Sequence, residues 1–355
     1  MKPMANPLDL IQYIHQPAFV AENGLVIQAN DAADSLLIKE GTPVLPLIKN
    51  DSEEYEKLTT GKLSLQLEIG NAWVTVHNGL HLFCVEKSYS SPELRAFALA
   101  SQNLKDPLSN ALSGAELLSR NETIRQDEEL VRQLGEINRS LYQLIRSVFN
   151  MSDITQLGSG YRTQFLQQNI AAVFGEFFDR ASEIVQDSKR IPKFSNLKGE
   201  LIGTIDAGLL ERLFLNLISN AIKFSPEGSV IKSTLKQTEN RFSLTVENSI
   251  PSGESGFSSN AFSRFLREPG IENNKNGIGL GMSVISMIAS AHQGTVLLSP
   301  YGKDKVRVTV SIPLNPNLPP EVRTVEQAIE SNASGLDRFL IELSDVLPSS
   351  YYESL

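Results

Sequence analysis

The chain begins with short runs in which apolar and polar residues alternate. PAFVAE (17–22) and LVIQAN (25–30) meet through Asn23-Gly24, and AWVTVH (72–77) and LHLFCVE (80–86) meet through Asn78-Gly79. Asn-Gly between alternating runs is a strong signal for a two-residue β-hairpin. With LSLQLEI (63–69) between the pairs and a short helical LDLIQYIH (8–15) in front, residues 8–87 predict a small α+β unit. From residue 92 the period changes. Phe97, Ser101, Leu104, Leu108, Ala111, Ala115 and Leu118 recur at alternating steps of four and three, as do Leu130, Leu134, Ile137, Leu141, Leu144, Val148 and Met151. Each set is a heptad seam, and Asn121-Glu122 divides them. Two such helices form an antiparallel hairpin. One hairpin cannot bury its own seam, so pairing two copies into a four-helix bundle predicts a homodimer.

Residues 160–315 mix the two periods. Helical spacing occupies 166–186, 207–224 and 282–292, and strand patterns fall at 201–205, 230–236, 241–247, 294–299 and 305–313. Asn315-Pro316 and Pro319-Pro320 break the pattern. A last helical spacing, Val325, Ile329, Leu336, Phe339, Leu340 and Leu343, marks a segment suited to docking on the body or on a partner.

Composition narrows the choice of class. A chain of 355 residues is long for one core, so two or three domains are expected. A net charge of −9 speaks against a nucleic-acid surface or an anionic membrane as partner. The single cysteine, Cys84, excludes an intrachain disulfide and a cysteine-based zinc site, and reads as a buried strand residue. No apolar run approaches the roughly 20 residues that span a bilayer, and MKPMANPLDL has no signal-peptide core. A cytoplasmic protein without membrane insertion is expected.

Two motifs carry chemistry. In LLERLFLNLISNAIKFSPEG, Asn216, Asn220 and Lys223 share one helix face. Amide oxygens are hard ligands suited to Mg2+, and a lysine beside them suits phosphate. The bland alternative is a polar helix face, but asparagine is a poor helix-interior residue, and these two sit among apolar neighbours. Further on, Gly277-Ile278-Gly279-Leu280-Gly281-Met282 opens a helical run, where backbone N–H groups and the helix dipole favour a polyphosphate. It is neither a dinucleotide-binding fingerprint nor a P-loop.

The order of these parts resembles the sensor histidine kinases. The asparagine helix, two strands, a loop with Phe262 and Phe265, the glycine loop, a helix ending in His292 and a final hairpin resemble their ATP-binding domain, the Bergerat (GHKL) fold. Ser101-Gln102-Asn103-Leu104-Lys105-Asp106-Pro107-Leu108 resembles the family H box, and Pro107 inside a good heptad adds weight because proline costs about 3 kcal/mol there. The hairpin, helix and three strands of the N-terminal part are similar in texture to a PAS sensor domain. The fold class implied is multidomain α+β: a PAS-like domain (1–90), a dimerisation hairpin (91–155), an α/β sandwich of Bergerat type (156–315) and a C-terminal segment (316–355). The resemblance further implies ATP and Mg2+ as cofactors. Asn216 and Asn220 would be metal ligands, Lys223 a phosphate contact, Gly277, Gly279 and Gly281 the glycine box, and Phe262 and Phe265 the F box. Glu247 would take the adenine-recognising acid's place, with Ser249 and Pro251 where the family has glycines. His292 is read as structural, and no PAS ligand can be named.

The departures matter as much. Gln102 stands at the phospho-acceptor histidine, and an amide cannot replace an imidazole nucleophile. Asn103 replaces the neighbouring acid and Asp106 the water-positioning residue. No histidine lies between His81 and His292 to rescue the site. Two functions remain open. One is a dimeric pseudokinase acting by contact with a response regulator or another histidine kinase. The other is an active kinase or ATPase that phosphorylates another chain or an unusual acceptor. An anti-sigma serine kinase fits less well, because it needs neither the heptad hairpin nor the sensor-like unit.

Overall fold

The computed structural model describes residues 11–14, 16–86, 92–157, 164–251, 281–302, 304–315 and 336–353. The N-terminal unit contains β1 (Ala18–Glu22), β2 (Leu25–Ala29), α1 (Asp31–Asp34), α2 (Ser52–Glu56), β3 (Gly61–Leu67), β4 (Gly70–His77) and β5 (Leu80–Val85). Its strands run antiparallel in the order β2-β1-β5-β4-β3. Both Asn-Gly pairs make the expected turns. Asn23 and Gly24 have φ 49° and 78°, Asn78 and Gly79 have 50° and 79°, and a type I′ turn needs φ > 0 at both central residues. Phe19 and Phe83 stack at 4.5 Å in its core. Cys84, expected to be buried, is only half-buried on β5.

Two long helices follow, α3 (Pro92–Ser119) and α5 (Glu128–Leu157), with the short α4 (Glu122–Arg125) between them. Asn121 caps α4 by accepting from the Thr123 N–H. Pro107 lies inside α3. The seams split into two faces. Ala115, Leu134 and Val148 are buried and Leu108 and Leu141 half-buried, while Leu104, Leu118, Leu130, Ile137 and Leu144 are exposed. The side chains of Phe97, Ser101, Gln102 and Met151 lie outside the description.

The third part contains β6 (Leu166–Asn169), α6 (Ile170–Asp187), β7 (Ile191–Ser195), β8 (Ile202–Ile205), α7 (Ala207–Phe224), β9 (Val230–Thr238), β10 (Arg241–Ser249), α8 (Gly281–Ala291), β11 (Thr295–Pro300) and β12 (Lys305–Pro313). Strands β11-β12-β10-β9-β7 form its sheet, and β6 pairs with β8 apart from it. Helices α6, α7 and α8 bury Phe174, Phe214 and Ile288 against Phe242, Leu244 and Val310. β7 was not expected. Its IPKFS sequence is short and carries Pro192, which an edge strand tolerates, and it pairs parallel to β9. α9 (Arg338–Glu342) and a 3-10 turn (Ser349–Tyr352) form the C-terminal segment, which packs on α5 and α7. Val325 and Ile329 fall outside the described residues. Among those residues no helix is long and apolar enough to cross a membrane.

The N-terminal sheet and the third-part sheet are one. β3 pairs antiparallel with β11, Ser64 opposite Val296 and Lys62 opposite Leu298, giving ten continuous strands. Side chains lock the junction: Ser64 Oγ and Ser286 Oγ are 2.6 Å apart, and Arg241 holds Asp51 with both terminal nitrogens, at 2.5 and 3.1 Å. At the end of β3, Gly61 has φ 104°, and a Cβ there would lie 2.6 Å from the Leu298 carbonyl oxygen. Only glycine fits that conformation and that approach. Gly61→Val is expected to cost about 1–3 kcal/mol from backbone strain alone and to speed amide exchange at residues 62–64. Urea unfolding with exchange mass spectrometry checks it, and unchanged exchange at 62–64 would show that the junction does not depend on the close approach.

Candidate functional site

α7 begins at Asp206, whose carboxylate accepts from the Leu209 N–H at 3.1 Å. Its apolar residues bury on the sheet, but three polar side chains are buried with them: Arg212, Asn216 and Ser219. Asn216 is wholly inaccessible. α8 starts alongside, so that a Cβ on Gly281 would lie 3.3 Å from Asn216 Oδ1 and 3.7 Å from the Asn220 amide. The structure therefore brings the asparagine pair against the described end of the glycine motif. Gly277, Gly279, Phe262 and Phe265 lie outside the described residues.

The C-terminal segment adds what the sequence reading did not foresee. Glu342, buried, accepts from Arg212 Nε at 2.7 Å and from Asn216 Nδ2 at 3.0 Å, and lies 3.4 Å from Arg146 Nε. Asp345 sits 2.8 Å from Arg146 and 3.8 Å from Lys223. Arg146 comes from α5 and also donates to Asn216 Oδ1 at 3.3 Å, while Arg212 donates to Asn150 at 2.9 Å. Burial pulls the Arg212 guanidinium below its ordinary range, and the Glu342 carboxylate opposes that shift. The helical spacing of 336–343 pointed to a docking segment, but nothing in its pattern singled out Glu342.

Glu247 does not join this cluster. Phe242, Leu244, Val246 and Asn248 point into the core, so by strand alternation Glu247 points to the other face. There it pairs with Arg307 at 2.5 Å and Lys232 at 3.5 Å, from the neighbouring strands. The polar side chain on the helix side is Asn248, which donates to Ser225 Oγ at 3.2 Å just beyond α7. The two-residue alternation of RFSLTVENS already carried this signal.

His292 is buried at the end of α8. Its Nδ1–H donates to the Ile288 carbonyl at 2.8 Å, and Nε2 accepts from the Asp206 N–H at 3.2 Å. Both ring nitrogens are thus used, Nδ1 on the last turn of α8 itself and Nε2 in holding that end to the start of α7, and burial pulls its pKa down.

Residues 205–316 match the family of histidine kinase-, DNA gyrase B-, and HSP90-like ATPases. Among curated proteins, the chain is 26% identical over 292 residues to hybrid signal transduction histidine kinase D of Dictyostelium discoideum, covering 78% of this chain and 18% of that one. It is 30% identical over 227 residues to the sensor histidine kinase TmoS of Ectopseudomonas mendocina, covering 62% and 23%. Residues 205–316 thus belong to this ATPase family, in a chain similar to sensor histidine kinases. The chain spans about a fifth of the length of these kinases. Among solved structures, full-length ShkA in complex with AMPPNP shares the fold at TM-score 0.50 and 20% identity, over 64% of this chain and 47% of that one.

The donor set suits the ATP and Mg2+ implied for a sensor histidine kinase. Asn216 and Asn220 supply amide oxygens and Lys223 an ammonium, while Gly281 leaves room that a side chain would fill. The buried Arg146 guanidinium, held by the Glu342 and Asp345 carboxylates, is a further donor group suited to anionic oxygens.

Two outcomes test this geometry. Glu342→Ala leaves the buried Arg212 guanidinium without this carboxylate and Arg146 with Asp345 alone, and is expected to lower stability by about 3–5 kcal/mol, read from the denaturant midpoint. For His292 the folded chain resists protonation. Its contribution is therefore full above pH about 6.5 and is lost as the pH falls below it, because the unfolded chain takes up the proton first. His292→Gln should flatten the stability profile between pH 7 and 5, and an equal slope would assign that dependence to other groups.

Proposed function

We propose that this chain is a nucleotide-binding pseudokinase of two-component signalling. In this reading it forms a homodimer, receives a signal through its N-terminal α+β unit, and acts by contact on a response regulator or another histidine kinase. The observation that carries the reading is Gln102. It occupies the phospho-acceptor position in a stretch that resembles the family H box at Ser101, Leu104, Pro107 and Leu108, and no histidine between His81 and His292 can take its place.

The rest of the reading has its own support. The exposed Leu104, Leu118, Leu130, Ile137 and Leu144 form an apolar face along the hairpin, which a second copy would cover. ATP and Mg2+ are supported by the cluster of Asn216, Asn220, Lys223 and Gly281. Asn248 replaces Glu247 as the candidate for the adenine edge, since its amide faces the helices. Bound nucleotide would act through the conformation it selects.

The retained asparagine pair favours a second reading, a kinase that phosphorylates another chain. One experiment separates the two. Purified dimer is incubated with labelled ATP and Mg2+, alone and with candidate partners, beside Asn220→Ala. The pseudokinase binds ATP, loses at least tenfold in affinity in Asn220→Ala, and places label on no chain. Acid-labile phosphate on this chain or a partner, lost in Asn220→Ala, would establish the kinase instead.

A further inference from the structure

Residues 336–353 are anchored by buried Phe339, Ile341, Leu343, Leu347 and Tyr352. Apolar packing of that kind needs no charge. Yet both acidic residues of the stretch 338–345 lie on the groups assigned to the nucleotide. Glu342 is bonded to the Asn216 amide at 3.0 Å, and Asp345 lies 3.8 Å from the Lys223 ammonium. Arg146 reaches both, at 3.4 and 2.8 Å. Two guanidiniums, an amide and an ammonium around two anionic groups are the chemistry of a polyphosphate site. Arg146 is almost fully buried and meets both carboxylates, Glu342 through Nε and Asp345 through a terminal nitrogen.

We propose that residues 336–353 are a built-in competitor for the nucleotide, with the Glu342 and Asp345 carboxylates standing where phosphates would bind. The proposal rests on the reading of α7 and α8 as a nucleotide site. Seating of the segment and binding of ATP exclude one another, because both neutralise the same cations. A tethered competitor acts at high effective concentration, and it lowers the apparent ATP affinity by the fraction of chains in which it is unseated.

The far end of the segment is latched on α5, away from the asparagine face of α7. Asn138 on α5 donates to the Tyr352 carbonyl at 2.9 Å, and the Tyr142 and Tyr352 rings meet edge-on at 5.1 Å. Gly135, one turn earlier, permits the approach: a Cβ there would lie 2.6 Å from Glu353 Cγ and 2.9 Å from the Ser349 carbonyl oxygen. A side chain at 135 therefore unseats the segment without altering the cationic cradle.

The test is calorimetric titration of ATP with Mg2+ into the full chain, as wild type, Gly135→Leu, Glu342→Gln and Asn220→Ala. Amide exchange of residues 338–347 is followed with and without nucleotide. Gly135→Leu is expected to bind at least tenfold more tightly than wild type, and ATP is expected to speed exchange at 338–347 in wild type. Glu342→Gln should also bind more tightly, and Gly135→Leu keeps the test decisive if Glu342→Gln does not fold. Equal binding by wild type and Gly135→Leu, with exchange at 338–347 unmoved, overturns the competitor and leaves the nucleotide site standing. Absence of ATP binding in all four overturns the nucleotide reading and the competitor with it.

Discussion

The arrangement of the C-terminal half depends on one buried carboxylate. Glu342 lies between Arg212 of α7 and Arg146 of α5, with Asn216 completing its shell. Two guanidiniums cannot be buried side by side without an anion, because desolvation and mutual repulsion both oppose it. The carboxylate therefore decides how the hairpin helix sits on the ATPase helix. Around it, Tyr142 and Ile145 of α5 share one apolar core with α7, α8 and the C-terminal segment. The hydrophobic contacts supply most of the burial, and the charge cluster selects the register in which they meet.

A second grip comes from the opposite side. The β3–β11 ladder and the Ser64–Ser286 pair bring the N-terminal unit onto α8. Ser290, one turn beyond Ser286, reaches Asn71 of β4 at 3.2 Å. α8 is also the helix that the glycine motif opens. A shift in the N-terminal sheet would thus reach the glycine end of α8, while a shift of the hairpin would reach α7 through Arg146. The nucleotide site we propose lies where the two grips converge, and rigid strands and a buried ion cluster transmit displacement better than loops do.

Much of this was legible in the residues, for definable reasons. The Asn-Gly turns, the heptads and the asparagine helix are local signals, and local chemistry determines them. β7 was not legible, because a five-residue edge strand with a proline lacks the alternation that reveals a strand, and only pairing with β9 makes it one. The heptads gave the helices but not how each seam divides between a covered and an exposed face. Glu247 was misread by matching residue type to the family acid, where the alternation set by Phe242, Leu244 and Val246 puts Asn248 on the helix side. The joining of two sheets at β3 and β11, and the seating of Glu342 on Asn216, depend on contacts between residues far apart in sequence. No local pattern encodes those.

The form of the cluster also bears on its purpose. A segment that served only to cap α5 and α7 would do so with apolar residues of similar volume, since replacing a buried ion cluster by well-packed hydrophobic side chains is commonly neutral or stabilising. Here Phe339, Ile341, Leu343 and Leu347 already supply such packing around Glu342. Asn216 and Asn220 likewise sit in a helix whose stability they do not improve. A neutral cap would also be hard to displace, because nothing entering the site could replace its contacts. A carboxylate held by arginine, amide and lysine groups can be replaced like for like by phosphate oxygens, so that the cations remain paired in both states. Charge at this position makes the segment exchangeable, which an apolar cap would not be.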